Sequence, residues 1–194
     1  MQRIDTQVAR TWNTNKGESL EELGNRTPYL IVFLRHSGCT FCRETMNDLA
    51  EKRGDIESRG VEIVLVHMMN DSRAKSFAEG YGLDDLPRIS DPNRELYKAF
   101  ELPLGKPGQL LGSKVLMRGI KAAVADGHWI GLPSGNTFQM PGTFLVKGTE
   151  ILRAHRHRRG FPELPALRQA LPRPYRRAQR LFPQHPPGRC PVHD

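Results

Sequence analysis

The sequence predicts an α/β fold: a central mixed sheet flanked by helices, with an insertion before a C-terminal hairpin. Three observations carry that expectation. Residues 29–34 form a continuous apolar run that breaks around Gly38 and passes into a helical pattern. Residues 61–66 are a second, β-branched run with another helical stretch behind it. The order strand, helix, strand, helix implies a right-handed parallel crossover. Residues 143–146 and 150–155, joined by Lys147-Gly148-Thr149, read as a hairpin.

The elements follow in order. Residues 1–16 are polar and poorly patterned, and read as an arm or a frayed lead-in. Ser19, with Glu22 three residues on, is placed to cap a short helix over 20–23, ended by Gly24-Asn25. The apolar run 29–34 suits a strand covered on both faces. The helix behind it is expected from about Cys39 to Arg53. Cys42, Met46, Leu49 and Arg53 fall on one face of it, and Gly54 or Gly60 can stop it. After the strand 61–66, Asp71-Ser72 is read as the cap of a helix to about Tyr81, ended by Gly82. A short extended piece follows from Leu86. Asp91 then reads as a cap, with Pro92 at the first position of a helix to Phe100. Gly and Pro recur through 101–137, read as an insertion with a helix around 115–124. Residues 163–171 fit a closing helix. The expected organisation is an arm over 1–16, one domain over 17–171 and a Pro/Arg-rich tail over 172–194.

A chain of 194 residues can bury one proper core and carry extensions. The net charge of +8 is uneven. Residues 151–194 hold ten arginines against Glu163 and Asp194, while residues 1–150 are balanced. The tail holds six prolines and five arginines and has little apolar periodicity. Three cysteines are too few for a secreted disulfide scaffold. No stretch has the 18 or so apolar residues of a membrane span, and the N-terminus has no apolar signal core. A reducing cytoplasm is therefore the expected compartment.

The chemistry concentrates in Arg35-His-Ser-Gly-Cys39-Thr-Phe-Cys42-Arg43-Glu44, between the first long strand and its helix. A thiol in the first turn of a helix meets N–H groups without intrahelical partners and the positive end of the dipole. Both favour the thiolate, which is the reactive form. A drop in pKa from about 8.5 to about 7 raises the thiolate fraction at neutral pH from roughly 3% to roughly half. A second cysteine one turn on can close a disulfide with the first. The competing readings are two apolar core cysteines and a zinc site, in which Cys190 and His193 would join Cys39 and Cys42. His36, three residues before Cys39, can hold or deliver a proton or sit solvated in a loop. Arg43, beside Glu44 in the first helical turn, can support a thiolate or form a surface ion pair. Arg153, after the hairpin turn, can reach the pocket or line a solvated edge. The run His155-Arg-His-Arg-Arg159 could meet a polyanion, but it lacks interleaved aromatics, and no nucleic-acid partner is expected.

Three stretches together resemble a known group: Leu-Arg-His-Ser-Gly-Cys-Thr-Phe-Cys-Arg-Glu, Ser-Asp-Pro-Asn-Arg-Glu-Leu-Tyr-Lys-Ala-Phe and Met-Pro-Gly-Thr-Phe-Leu-Val. Over roughly residues 15–170 the chain resembles the peroxiredoxin-like, AhpC/TSA-type branch of the thioredoxin-fold superfamily. The resemblance implies a thioredoxin-like fold and a thiol peroxidase or disulfide reductase working through Cys39 and Cys42. It implies a peroxide or disulfide substrate, a recycling thiol of thioredoxin or glutathione type, and no organic cofactor or metal; it also admits a homodimer. Met140-Pro141 falls where this fold usually carries a cis proline facing the cysteines. Typical members have a threonine three residues before the peroxide-reactive cysteine and a proline four before that. Counting from Cys39, those places hold His36 and Val32; counting from Cys42, they hold Cys39 and Arg35. The resemblance leaves open which sulfur attacks. A thioredoxin-fold binding module without catalysis, using its arginine-rich tail, is the alternative from a different class.

Overall fold

The computed structural model describes residues 2–35, 40–105 and 138–156. The expected helices over 115–124 and 163–171, and the tail, lie outside the described residues. Among the described residues, six strands form one mixed sheet in the order β1-β6-β5-β2-β3-β4. At its centre is β2 (Tyr29–Phe33), buried at every position. It pairs in parallel with β3 (Glu62–His67), which pairs in parallel with β4 (Arg88–Ser90). On its other side it pairs antiparallel with β5 (Gly142–Lys147), the first arm of the expected hairpin with β6 (Glu150–Arg156). Gly148 turns that hairpin at φ 59°, a conformation glycine adopts without strain.

Alternation along the strands divides the core. Leu30, Val32, Ile63, Leu65 and Leu145 face one way, beneath α3 (Thr40–Glu57) and α4 (Asp71–Glu79). Tyr29, Ile31, Phe33, Val64, Val66 and Phe144 face the other, beneath α2 (Leu20–Arg26) and α5 (Glu95–Ala99). Strands covered on both faces have no solvent side, which is why the sequence runs apolar rather than alternating.

Several boundaries differ from the sequence expectation. Residues 2–11 are not a frayed arm. Gln2 and Arg3 form β1, paired with Ile151 and Glu150, and Thr6–Thr11 form α1. Only Ile4 and Ala9 of this segment are buried, so its apolar signal is too sparse to read as pattern. Gly54 does not stop α3, which runs on to Glu57. Ile56 is 2% exposed, and its burial offsets the roughly 1 kcal/mol that a helical glycine costs. The chain turns at Gly60 instead, at φ 68°. Asn70, rather than Asp71, caps α4 by accepting from the Arg73 N–H at 3.0 Å, and the helix ends at Glu79. Pro92 does not open α5, because Arg94 is left-handed (φ 61°) and the helix begins at Glu95. The Ser19 capping box forms as expected, but its helix runs through Gly24 and Asn25 to Arg26. A Cβ on Gly24 would lie 2.5 Å from the Gly148 carbonyl oxygen, so this helix packs directly on the hairpin turn.

Candidate functional site

The carboxyl ends of β2, β3 and β4 lie along one edge of the sheet, where open α/β sheets usually place their chemistry. Leu34 and Arg35 lead out of β2 and are buried. Residues 36–39, which include His36 and Cys39, lie outside the described residues. The chain returns at Thr40 as the start of α3, so Cys42 is the third residue of that helix. Cys42 is 3% exposed and packs in the cluster that includes Leu34, Met46 and Leu49. The helical face predicted from its spacing is therefore the buried one. Its sulfur accepts the main-chain N–H of Arg35 at 3.2 Å. That donor, with the opening turn of α3 around the sulfur, favours the thiolate, while burial opposes it.

A second layer supports this exit. Tyr97 on α5 is fully buried, and its hydroxyl donates to the Leu34 carbonyl, with the Val66 carbonyl 3.3 Å away. Burial first, then the nearby Cys42 sulfur and the Asp91 carboxylate, push the Tyr97 phenol well above its ordinary pKa. It therefore stays protonated and remains a donor. Asp91, fully buried, accepts the N–H groups of Glu95, Leu96 and Tyr97 at 2.9, 2.8 and 3.2 Å. It thus caps α5 from outside the helix. The Tyr97 ring meets Phe33 edge to face at 4.9 Å, in an aromatic group with Phe100 and Phe144. His67 ends β3, buried, with Nδ1 3.1 Å from the Met69 carbonyl oxygen and Nε2 without a partner among the described residues. Burial lowers its pKa to about 4, so it is neutral.

On the other flank, Gly142 pairs with Phe33, and Met140-Pro141 leads directly into that paired end of β5. The Met140–Pro141 bond is trans, not cis as the resemblance implied; no cis peptide occurs among the described residues. Trans is the lower-energy form of an X–Pro bond. Buried Gln139 donates from Nε2 to the carbonyls of Leu102, Pro103 and Met140 at 3.2–3.3 Å, and the Met140 N–H donates to Pro103. A Cβ on Gly142 would come within 2.5 Å of Leu102 Cδ2, so only glycine fits there without displacement.

Other expected site residues are placed less closely. Arg43 and Glu44 are exposed on the opening of α3. Arg153 is exposed and pairs with Leu145, which pairs with Leu30. It therefore stands three residues, about 10 Å, back along the sheet from the level of Phe33. Arg156 stands at that level, opposite Gly142. It donates to the Phe100 carbonyl at 3.2 Å and lies over the Phe144 ring. Among the described residues no three His, Cys, Asp or Glu are grouped to hold a metal. Cys39, Cys190 and His193 of the zinc reading lie outside the described residues. The sequence reading missed Tyr97, His67 and Gln139. Asp91 was visible as a cap, but nothing in the spacing shows Tyr97 reaching the Leu34 carbonyl from another element.

Together, the mixed sheet, the flanking helices and a cysteine in the opening turn after the central strand define a thioredoxin-fold protein of the peroxiredoxin-like class. The AhpC/TSA family model matches residues 6–155, and the chain belongs to that family. It is 33% identical over 76 residues to the thioredoxin-like protein AAED1, chloroplastic, of Arabidopsis thaliana. The match covers 39% of this chain and 30% of that relative's length. Among solved structures, a cysteine variant of PrxQ from Xylella fastidiosa superposes with a TM-score of 0.60 at 14% identity, over 92% of this chain and 95% of that one. A cysteine variant of peroxiredoxin Q from Xanthomonas campestris gives 0.57 at 15%, over 79% and 84%. A putative thiol:disulfide interchange protein DsbE from Chlorobium tepidum gives 0.52 at 16%, over 82% and 87%. At these identities the likeness is one of fold. No helix among the described residues is long and apolar enough to cross a membrane.

Proposed function

We propose that the chain is a thiol-dependent peroxide reductase working through Cys39 and Cys42. The observation that supports this most is the Cys42 sulfur at the opening of α3, holding the Arg35 N–H in a chain of the AhpC/TSA family. In this reading the Cys39 thiolate attacks one peroxide oxygen. An S–O bond forms, the O–O bond breaks, and the departing oxygen takes a proton to leave as water or an alcohol. Cys39 becomes a sulfenic acid. The Cys42 thiolate then attacks the Cys39 sulfur, forming the S–S bond as the S–O bond breaks, and the sulfenic oxygen takes a proton and leaves as water. Two electrons from an external dithiol, or from two monothiols, restore both cysteines. A burial as deep as that of Cys42 suits a resolving sulfur better than an attacking one. A reducing cytoplasm would supply the recycling thiol.

Peroxide consumption by Cys39→Ser and Cys42→Ser variants, with a thioredoxin- or glutathione-type reductant supplied, tests the proposal. Cys39→Ser should abolish turnover, and Cys42→Ser should stall the enzyme at sulfenic acid or force dependence on added monothiol. Unchanged turnover in both refutes it. The Cys-x-x-Cys spacing, with no threonine three residues before either cysteine, favours a second reading as a disulfide reductase. There Cys39 forms a mixed disulfide that Cys42 resolves. Efficient insulin reduction with weak peroxide consumption would select it.

A further inference from the structure

The peptide unit between Leu34 and Arg35 is engaged at both ends. Its carbonyl accepts the Tyr97 hydroxyl, and its N–H donates to Cys42 Sγ at 3.2 Å. We propose that Tyr97 is a positioning residue for Cys42: through this one peptide its hydroxyl strengthens the N–H donor that holds the sulfur as thiolate. The proposal rests on the reading of Cys42 as a working thiol. Amide resonance supplies the link. Hydrogen bonding at the carbonyl oxygen draws electron density from the nitrogen and makes its N–H a better donor, the ordinary cooperativity of hydrogen-bond chains.

The placement of the hydroxyl fits this role. Phenylalanine would fill the same aromatic cluster without the cost of burying a polar group. Instead a hydroxyl sits where water cannot replace it, aimed at the carbonyl that leads out of β2. Its position is fixed from both ends. The ring packs on Phe33, and the Tyr97 N–H is held by Asp91. The helix α5 is thereby tied to the sulfur through a peptide of another element. Among the described residues, charged and titratable groups on the surrounding elements are the Arg35 guanidinium after β2, His67 ending β3, Asp91 before α5, and Arg43 and Glu44 on α3. A change of Tyr97 to phenylalanine leaves each of these side chains in place in the sequence and removes only the hydroxyl.

The test follows the Cys42 13Cβ shift against pH in the full chain, comparing Tyr97→Phe with the parent, both in a Cys39→Ser background. The Tyr97→Phe midpoint should rise, so that the thiolate-to-thiol ratio at fixed pH falls about 1.5- to 4-fold. The Arg35 amide proton should move upfield as its bond to sulfur weakens. An unchanged midpoint and amide shift in a folded variant overturn the proposal. Should Tyr97→Phe not fold, the Cys39→Ser parent itself decides: the Arg35 amide and the Tyr97 Cζ carbon should both titrate with the Cys42 midpoint, and a Tyr97 signal indifferent to it overturns the proposal. None of these readouts uses peroxide or disulfide turnover, so failure here is distinct from failure of the proposed activity.

Discussion

His67 shows how one buried side chain couples stability to pH. Its pKa falls from the ordinary value near 6.5 to about 4 because burial disfavours the imidazolium; the Met69 carbonyl and Asp71 work against that, and Arg88 adds to it. In the unfolded chain His67 takes up its proton near pH 6.5, while in the folded chain it stays neutral until about pH 4. Between those values the unfolded state binds more protons. The stability contributed is therefore present above about pH 6.5 and is lost as pH falls toward 4, by about 3 kcal/mol in all. Urea denaturation from pH 7.5 to 4.5 should show this slope, and His67→Gln, which does not titrate, should flatten it. Equal slopes in both proteins would show that another group carries the effect.

At the scale of elements, α5 depends on a residue outside it. The Asp91 carboxylate takes three N–H groups that open the helix, and all are buried or half-buried. Asp91→Ala should cost about 2 to 3 kcal/mol, more than an exposed cap, because those donors would be left unsatisfied where water is excluded. Chemical denaturation measures the loss. Hydrogen exchange should place it in α5, with faster exchange at Glu95, Leu96 and Tyr97. A loss below about 0.5 kcal/mol would mean the three N–H groups find other partners.

Across the whole molecule, the first residues close the sheet. β1 covers the outer edge of β6, the Ile4 N–H donates to the Thr149 carbonyl at 2.8 Å, and Ile4 and Ala9 join the core with Val8 and Trp12 packed against it. Removing residues 1–11 should destabilise the fold by about 3 kcal/mol, the worth of the apolar side chains uncovered, and leave β6 an open edge. A lower urea midpoint and concentration-dependent association are the expected results. An unchanged midpoint would mean the segment only decorates the sheet.

What the sequence determined by itself is the local and the periodic. The apolar runs of β2 and β3, the Ser19–Glu22 box, the glycine-turned hairpin and the face of α3 bearing Cys42 were all legible. Each follows from neighbouring residues, or from a repeat that burial on both sides of a sheet imposes. Gly54 and Pro92 misled because a glycine's local cost yields to the burial of Ile56, and a proline's preference yields to a cap that reaches past it. Contacts between residues far apart in the chain were decided only by the tertiary structure: Tyr97 on the Leu34 carbonyl, Gln139 on the Leu102 and Pro103 carbonyls, β1 on β6. Such hydrogen bonds depend on where separate elements are packed, and no spacing along one element records that.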